Sequence, residues 1–464
     1  MTRSRGMLAA ILGVYLVVGG LFAIFTPAWQ APDEPAHYNY VAQLARGGCC
    51  PVIESGDWDS AYLETLKANR FRPDLLADLP AIQYEDHQPP LYYLLQTPVY
   101  LLTNGSLIAL RLVSVLLGGG IVMCAYAVGR MAFPQRPQIA LGAAALVAFL
   151  PQHVAILASV TNDALSNLLI GIGLVLAARH VRGDGVRPWQ MGVLAGIALL
   201  TKISTIFLVG LLPLAILARF WLDRREERTG RSPSLRMRQE DDDGGRTGRN
   251  PSLPARLAAF VVPALLLGGI WWARSISVYG FPDVFGLRAH DRVVADQART
   301  ADLVGQIGLG EYLSRAVQTT FNSFWGQFGW MGVPMPGWVY TLIVVLLIAA
   351  LLGWLLGRRS DGGAAAPEGR WIAALLGLTA LLAVAQYLYY NLEFLQLQGR
   401  YMFTGLIPAT LGLAWGIENG RAWLARRVPA LRAEATPLLL CGFAVLDVYL
   451  LWRVIVPALA VTGG

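Results

Sequence analysis

Hydrophobic positions along the chain fall in long unbroken blocks separated by polar stretches. A block of about 20 apolar residues is the length that crosses a bilayer as a helix. Met7 to Phe25 is the first, and further blocks follow at roughly 106–129, 138–157, 163–178, 189–204, 205–222, 255–279, 337–357, 371–390, 401–418 and 436–456. The pattern predicts an all-α polytopic membrane protein with about eleven transmembrane helices. Arg3 and Arg5 precede the first block, as they would in a signal peptide. The following Thr26-Pro27-Ala28-Trp29-Gln30 makes a poor small-x-small cleavage site, so the block reads as an uncleaved first helix.

The polar stretches orient these helices. With the N-terminus inside, the inner loops carry Arg130 and Arg136, then Arg179, Arg182 and Arg187, then Arg224, Arg225 and Arg228. Later inner loops carry Arg358, Arg359 and Arg370, then Arg421, Arg426, Arg427 and Arg432. The first outer stretch is rich in carboxylates instead, among them Asp33, Glu34, Asp57, Asp74, Glu85 and Asp86. This asymmetry follows the positive-inside rule and puts the C-terminus outside.

Composition agrees. Of 464 residues, 55% are hydrophobic and 14% charged, against about 25% charged in soluble proteins. A cytosolic enzyme and a disordered chain are excluded. The net charge of +7 rests on Arg, with Lys only at Lys67 and Lys202. Because the Arg residues sit in inner loops, membrane topology explains the charge and no nucleic-acid partner is expected. Cys124 and Cys441 lie in apolar runs as packing residues, Cys49 and Cys50 are adjacent, and no CxxC spacing is present.

The chain divides into a transmembrane module over 1–222, a polar linker over 223–254 and a second transmembrane module over 255–464. The linker repeats Arg228-Thr-Gly-Arg-Ser-Pro-Ser-Leu235 as Arg246-Thr-Gly-Arg-Asn-Pro-Ser-Leu253 around an acidic run. Such composition cannot bury a core and reads as a disordered cytoplasmic segment. Two outer loops, about 27–105 and 280–336, are longer than helix connection requires, which points to function on that face. The first reads as two amphipathic helices, Pro35 to Arg46 and Trp58 to Arg70, suited to the membrane interface.

Five groups at this outer face could carry chemistry. Asp33 and His37 share a helix face, and a carboxylate there can deprotonate an incoming hydroxyl; an Asp before Pro35 is equally an ordinary helix start. Tyr84-Glu85-Asp86-His87-Gln88-Pro89-Pro90-Leu91-Tyr92-Tyr93 offers His87 and Tyr92, or a helix start with interface tyrosines. Lys202 lies inside an apolar stretch, where it can neutralise a lipid phosphate or snorkel outward. Arg400 and Tyr401 open a late span, and Arg400 offers planar donors suited to phosphate; Arg274 after Trp271-Trp272 is similar. Asp163, in Thr161-Asn162-Asp163, is a further polar group or a helix cap. No metal-binding motif appears, although His37, His87 and their neighbouring carboxylates leave a metal site open.

At this point the residues resemble the GT-C superfamily of membrane glycosyltransferases, which includes protein O-mannosyltransferases and the aminoarabinose transferases that modify lipid A. The resemblance rests on Asp33-Glu34 with His37, on His87-Gln-Pro-Pro-Leu-Tyr-Tyr93, on Leu199-Leu-Thr-Lys202, on Trp271-Trp-Ala-Arg274 to Tyr279-Gly280, and on Gln398-Gly-Arg-Tyr401. It implies a GT-C-like fold with juxtamembrane helices in the first outer loop. It also implies a polyprenyl-phosphate sugar donor and an inverting transfer. Asp33 would then be the catalytic base, supported by Glu34 and His37, while Lys202 and Arg400 would hold the donor phosphate. His87, Tyr92, Asp163, Arg274 and Tyr401 would complete the substrate site. The scheme requires no cofactor, and a divalent cation is the one addition it admits.

The expectation is therefore a multi-pass plasma-membrane enzyme that moves a sugar onto a cell-envelope glycan, lipid or protein acceptor at the outer, periplasm-facing surface. Two rivals remain from the residues alone: a lipid or glycolipid transporter or flippase, and a non-catalytic glycolipid-binding assembly partner. Paired inverted halves, the mark of many transporters, are not visible in the sequence.

Overall fold

The structure is a computed structural model that describes residues 2–228, 251–357 and 366–461. Its helices in chain order are α1 (Thr2–Phe25), α2 (Glu34–Gly47), α3 (Ser60–Ala68), α4 (Leu91–Leu102), α5 (Leu107–Ala132), α6 (Pro137–Phe149), α7 (Pro151–Leu157), α8 (Asp163–Arg182), α9 (Pro188–Leu199) and α10 (Phe207–Arg228). They continue with α11 (Leu253–Tyr279), α12 (Leu287–Val293), α13 (Thr300–Ile307), α14 (Leu309–Trp325), α15 (Gly337–Gly357), α16 (Pro367–Glu393), α17 (Leu406–Leu424), α18 (Ala435–Leu450) and α19 (Val456–Leu459). The strands described are Gln327–Phe328 and Val333–Pro334, a small antiparallel hairpin.

Among the described residues, eight helices are long and apolar enough to cross a membrane, and α6 with α7 makes a ninth span bent by 59°. The bend has a local cause. Leu150 precedes Pro151 and is held extended at φ −71° and ψ 117°, as the proline ring requires. The expected count of about eleven is thus not reached. The block at 189–204 forms the 12-residue α9 and then breaks at Lys202. The block at 401–418 opens with a tight turn over Gly399–Gly405, and α17 after it is not among the helices that qualify.

The two halves of the chain do not fold apart. α6 packs on α17 and α18, and α9 packs along α11, so one interleaved bundle results. Most of the expected linker, 229–250, lies outside the described residues, as do Arg358 and Arg359. Its first residues belong to α10, which runs to Arg228 because Arg219 pairs with Asp223 one turn on, at 2.6 Å, and with Glu226 at 2.9 Å.

Lipid provides little hydrophobic drive between spans, so close backbone approach has to supply dispersion contacts. α15 and α17 show this most clearly. A Cβ on Gly353 would lie 1.8 Å from the Gly416 carbonyl oxygen, so only glycine fits. The outer loop is built differently, around its own apolar core of Ala36, Leu63, Leu66, Phe71, Leu79, Ile82, Tyr84 and Val294. The sequence reads α2 as suited to the membrane interface. Its His37, Asn39, Tyr40, Val41 and Leu44 are all buried, with Ala36 in the outer-loop core and Tyr40, Val41 and Leu44 in the main core of the bundle.

Replacing Gly353 by Ala should push α15 off α17 and cost about 1–3 kcal/mol of stability. A clear fall in the melting temperature of the detergent-solubilised protein is the expected result, whereas Gly13→Ala, where a Cβ meets nothing within 4 Å, should leave it in place.

Candidate functional site

Four chain breaks at one end of the bundle supply the site: after α1, before α8, between α9 and α10, and before α17. Each exposes a polar residue that a continuous helix would have turned elsewhere. Asp33 adopts a left-handed conformation, φ 65°, and its side chain does not cap α2. The carboxylate is free to turn inward, where Oδ1 accepts from the Tyr84 hydroxyl at 2.9 Å and Oδ2 accepts from Arg400 Nη2. Arg400 is 4% exposed and Asp33 24%. Arg400 reaches this point because Gly399 lies against α14: a Cβ there would meet Phe324 N at 2.4 Å and Thr320 O at 2.5 Å. Arg400 Nε also donates to Gln398 Oε1 at 2.7 Å, and its guanidinium lies over the Tyr401 ring.

A second ion pair stands beside the first. Lys202 has extended backbone at the α9–α10 break, and its Nζ lies 2.5 Å from Asp163 Oδ1 at the start of α8. The polar stretch before α4 is anchored at the same break, since Leu91 N donates to Leu200 O at 3.0 Å. His37 is electrostatically coupled to both pairs, through Asp33, Asp163 and Lys202. Its Nδ1 lies 2.9 Å from the Tyr93 hydroxyl, which also accepts from Asn162 Nδ2 at 3.3 Å.

The charges set the protonation states. Burial would raise the Asp33 carboxyl, but the Arg400 cation, with His37 and the bonds from Arg400 and Tyr84, outweighs it and holds Asp33 below the usual carboxylate range. Burial lowers His37 despite the opposing pull of Glu85 and Asp33, which favours the neutral imidazole at neutral pH. Asp86 accepts from Gln43 at 2.7 Å, yet burial pushes its carboxyl up to about 8. It is therefore mostly protonated at pH 7. Glu85 Oε2 is buried with no hydrogen-bond partner, as is Asn162 Oδ1. Two unused acceptors in a buried pocket suit the hydroxyls of a polyol ligand.

Comparison with known proteins places the chain. The family described as Predicted membrane protein (DUF2142) matches residues 67–408. The chain belongs to this family. Comparison with curated proteins gave no match. Among solved structures, ArnT from Cupriavidus metallidurans in the apo state is similar with a TM-score of 0.50 and 17% identity, over 99% of this chain and 74% of ArnT. ArnT from the same organism bound to undecaprenyl phosphate aligns with a TM-score of 0.49 and 15% identity, over 98% and 74% of the two chains. The chain thus has an ArnT-like fold, and it is a multi-pass membrane protein.

Within that fold, Asp33, His37, Asp163, Lys202, Arg400 and Tyr401 lie near one another. Four other expected residues do not join them. Glu34 is 0% exposed and forms a two-pronged pair with Arg111, at 2.7 Å from Nε and 2.6 Å from Nη2. It also accepts from the backbone N–H groups of Trp29 and Val160. No lone pair is left for a substrate, so Glu34 is an anchor rather than a support for the base. Tyr92 is wholly buried, with its hydroxyl bonded to Ser114, Gln96 and Thr161 N, and Tyr93 stands in the site instead. Arg274 binds the carbonyls of Cys50 and Pro51 and lies over Trp271, tethering the outer loop. His87 lies against His290 with the rings tilted by 50°, and its ring nitrogens lie near Tyr84 O and Gln88 Nε2. Among the described residues no three His, Cys, Asp or Glu converge as a metal would require.

The sequence reading names Tyr84, Glu85, Tyr93 and Asn162 within its motifs without assigning them a role in the site, and it does not name Arg111. Arg111 carried a readable signal, because it sits inside the apolar run 106–129 and the rule that singled out Lys202 applies to it equally. Arg111→Met should strand the buried Glu34 charge and cost about 3–5 kcal/mol. The double variant with Glu34→Gln should recover much of that loss in thermal unfolding, which distinguishes an ion-pair anchor from simple packing by Arg111.

Proposed function

We propose that this protein is an inverting glycosyltransferase that uses a polyprenyl-phosphate-linked sugar at the outer face of the plasma membrane. The observation that carries the reading is the convergence of one accessible carboxylate, Asp33, with the two cations Arg400 and Lys202 in a buried pocket at one end of a GT-C-like bundle. The donor class is the one the GT-C resemblance implies. The positive-inside pattern supports a cytoplasmic N-terminus and an outward-facing site.

In the resting arrangement each cation is neutralised by a carboxylate. A donor phosphate competes for Arg400 and Lys202, and loss of the Arg400 contact raises the basicity of Asp33. Asp33 then takes the proton from the acceptor hydroxyl as its oxygen bonds to the anomeric carbon. The bond from that carbon to the phosphate oxygen breaks, and polyprenyl phosphate leaves with its charge held by the two cations. Neutral His37 and Tyr84 orient the carboxylate. Glu85 and Asn162 accept from sugar hydroxyls. Glu34 acts at a distance by fixing the backbone that presents Asp33.

The purified protein in lipid, given polyprenyl-phosphate sugars, should release polyprenyl phosphate. Asp33→Asn should lower turnover by about 10²–10⁴-fold with donor binding retained, and Arg400→Met or Lys202→Met should mainly weaken the donor. The ratio kcat/KM, which reports the free enzyme, should hold through the ordinary carboxylate range and fall only as pH drops through the depressed Asp33 value, whereas kcat should fall at a higher pH because the bound donor has displaced Arg400. Equal turnover in wild type and Asp33→Asn would remove Asp33 as the base. Movement of intact glycolipid across the bilayer without release of polyprenyl phosphate would favour a flippase instead.

A further inference from the structure

A second charged site lies at the opposite end of the bundle. Here the last turns of α10 and the first turns of α11 and α16 enclose a cavity of about 800 Å³. Arg224, Arg225, Arg228 and Arg370 line it, with Trp221 and Trp371 among its apolar walls and no acidic residue in the lining. Two carboxylates of α10 are engaged with other arginines. Asp223 holds Arg219 and also Arg256, the latter at 2.7 Å, and Glu226 holds Arg219. Arg224 lies over the Phe220 ring, and neither it nor Arg228 or Arg370 forms an ion pair among the described residues. Trp221 is 69% exposed and Trp371 40%, as interfacial tryptophans of spanning helices are.

We infer that this cavity binds the phosphate headgroup of an anionic phospholipid from the inner leaflet, the arginines on the phosphate and the tryptophans on the glycerol and upper acyl region. Three features select this occupant. Guanidinium planes match phosphate oxygens in pairs. The remaining lining is aromatic and aliphatic, which favours an acyl-bearing anion over a soluble one. The cavity also sits at the Arg-rich ends of the spans, where anionic headgroups of the cytoplasmic leaflet gather. The site makes no contact with the Asp33 pocket and does not rest on the proposed transfer.

The full chain, exchanged into nanodiscs of defined composition and examined by native mass spectrometry, tests the assignment. The protein should retain phosphatidylglycerol in preference to phosphatidylcholine. Arg224→Gln with Arg370→Gln should weaken that retention about thirtyfold, at roughly fivefold per arginine, while Arg370→Lys keeps most of it. Arg72→Gln, in the outer loop, should change nothing, and circular dichroism establishes that each variant is folded. Equal retention of the two lipids, or unchanged retention in the double glutamine variant, would overturn the proposal. So would retention that appears only after Glu240 to Asp243 are neutralised, because the chain's own acidic run would then be the occupant.

Discussion

The pair between Glu34 and Arg111 is the constraint on which the outer half of the molecule depends. Arg111 also donates to the carbonyls of Ala23, Thr26 and Pro27, where α1 ends. Glu34 in turn receives the N–H of Trp29 and of Val160. One buried ion pair therefore closes the unsatisfied end of α1, starts α2, grips α5 and fixes the loop before α8. In a membrane protein such satisfaction is obligatory, since no water reaches these groups. Asp33 is the neighbour of this anchor. Its left-handed backbone is held from one side, and its carboxylate is consequently directed away from the helix it precedes.

The pocket that results is charged but balanced. Arg400 faces Asp33, Lys202 faces Asp163, and His37 is positioned to respond to all of them. Burying four charges is costly, and pairing reduces that cost without discharging the groups. A phosphate ligand would enter a site whose cations are already oriented, trading one anionic partner for another. Glu85 and Asn162 break the balance with acceptors that have no partner, and these are the positions where a ligand's hydroxyls can make up what the fold leaves unpaired.

The opposite end of the bundle uses arginine differently. There Arg224, Arg228 and Arg370 line a cavity whose lining holds no acidic residue, beside the exposed Trp221 and Trp371. At one end of the bundle the cations are paired with carboxylates. At the other, arginines line a cavity with aromatic and aliphatic walls. That polarity follows from the same bias that orients the spans.

The all-α membrane architecture was legible in the sequence because apolar block length is a local property that bilayer thickness translates directly into helices. Charge in the loops gave an expected orientation without reference to packing. Asp33, His37, Lys202 and Arg400 could be singled out because ionisable residues beside or within apolar runs are costly wherever the chain goes. What they touch could not be read. Asp33 and Arg400 are separated by most of the chain, and Lys202 meets Asp163 only because α9 breaks beside the start of α8. The roles of adjacent residues were equally hidden: Glu34 is an anchor beside Asp33, and the Tyr93 hydroxyl meets His37 while that of Tyr92 meets Ser114 and Gln96. A one-residue step turns a helical side chain by about 100°, and which direction leads to the pocket is decided only when the neighbouring helices are in place.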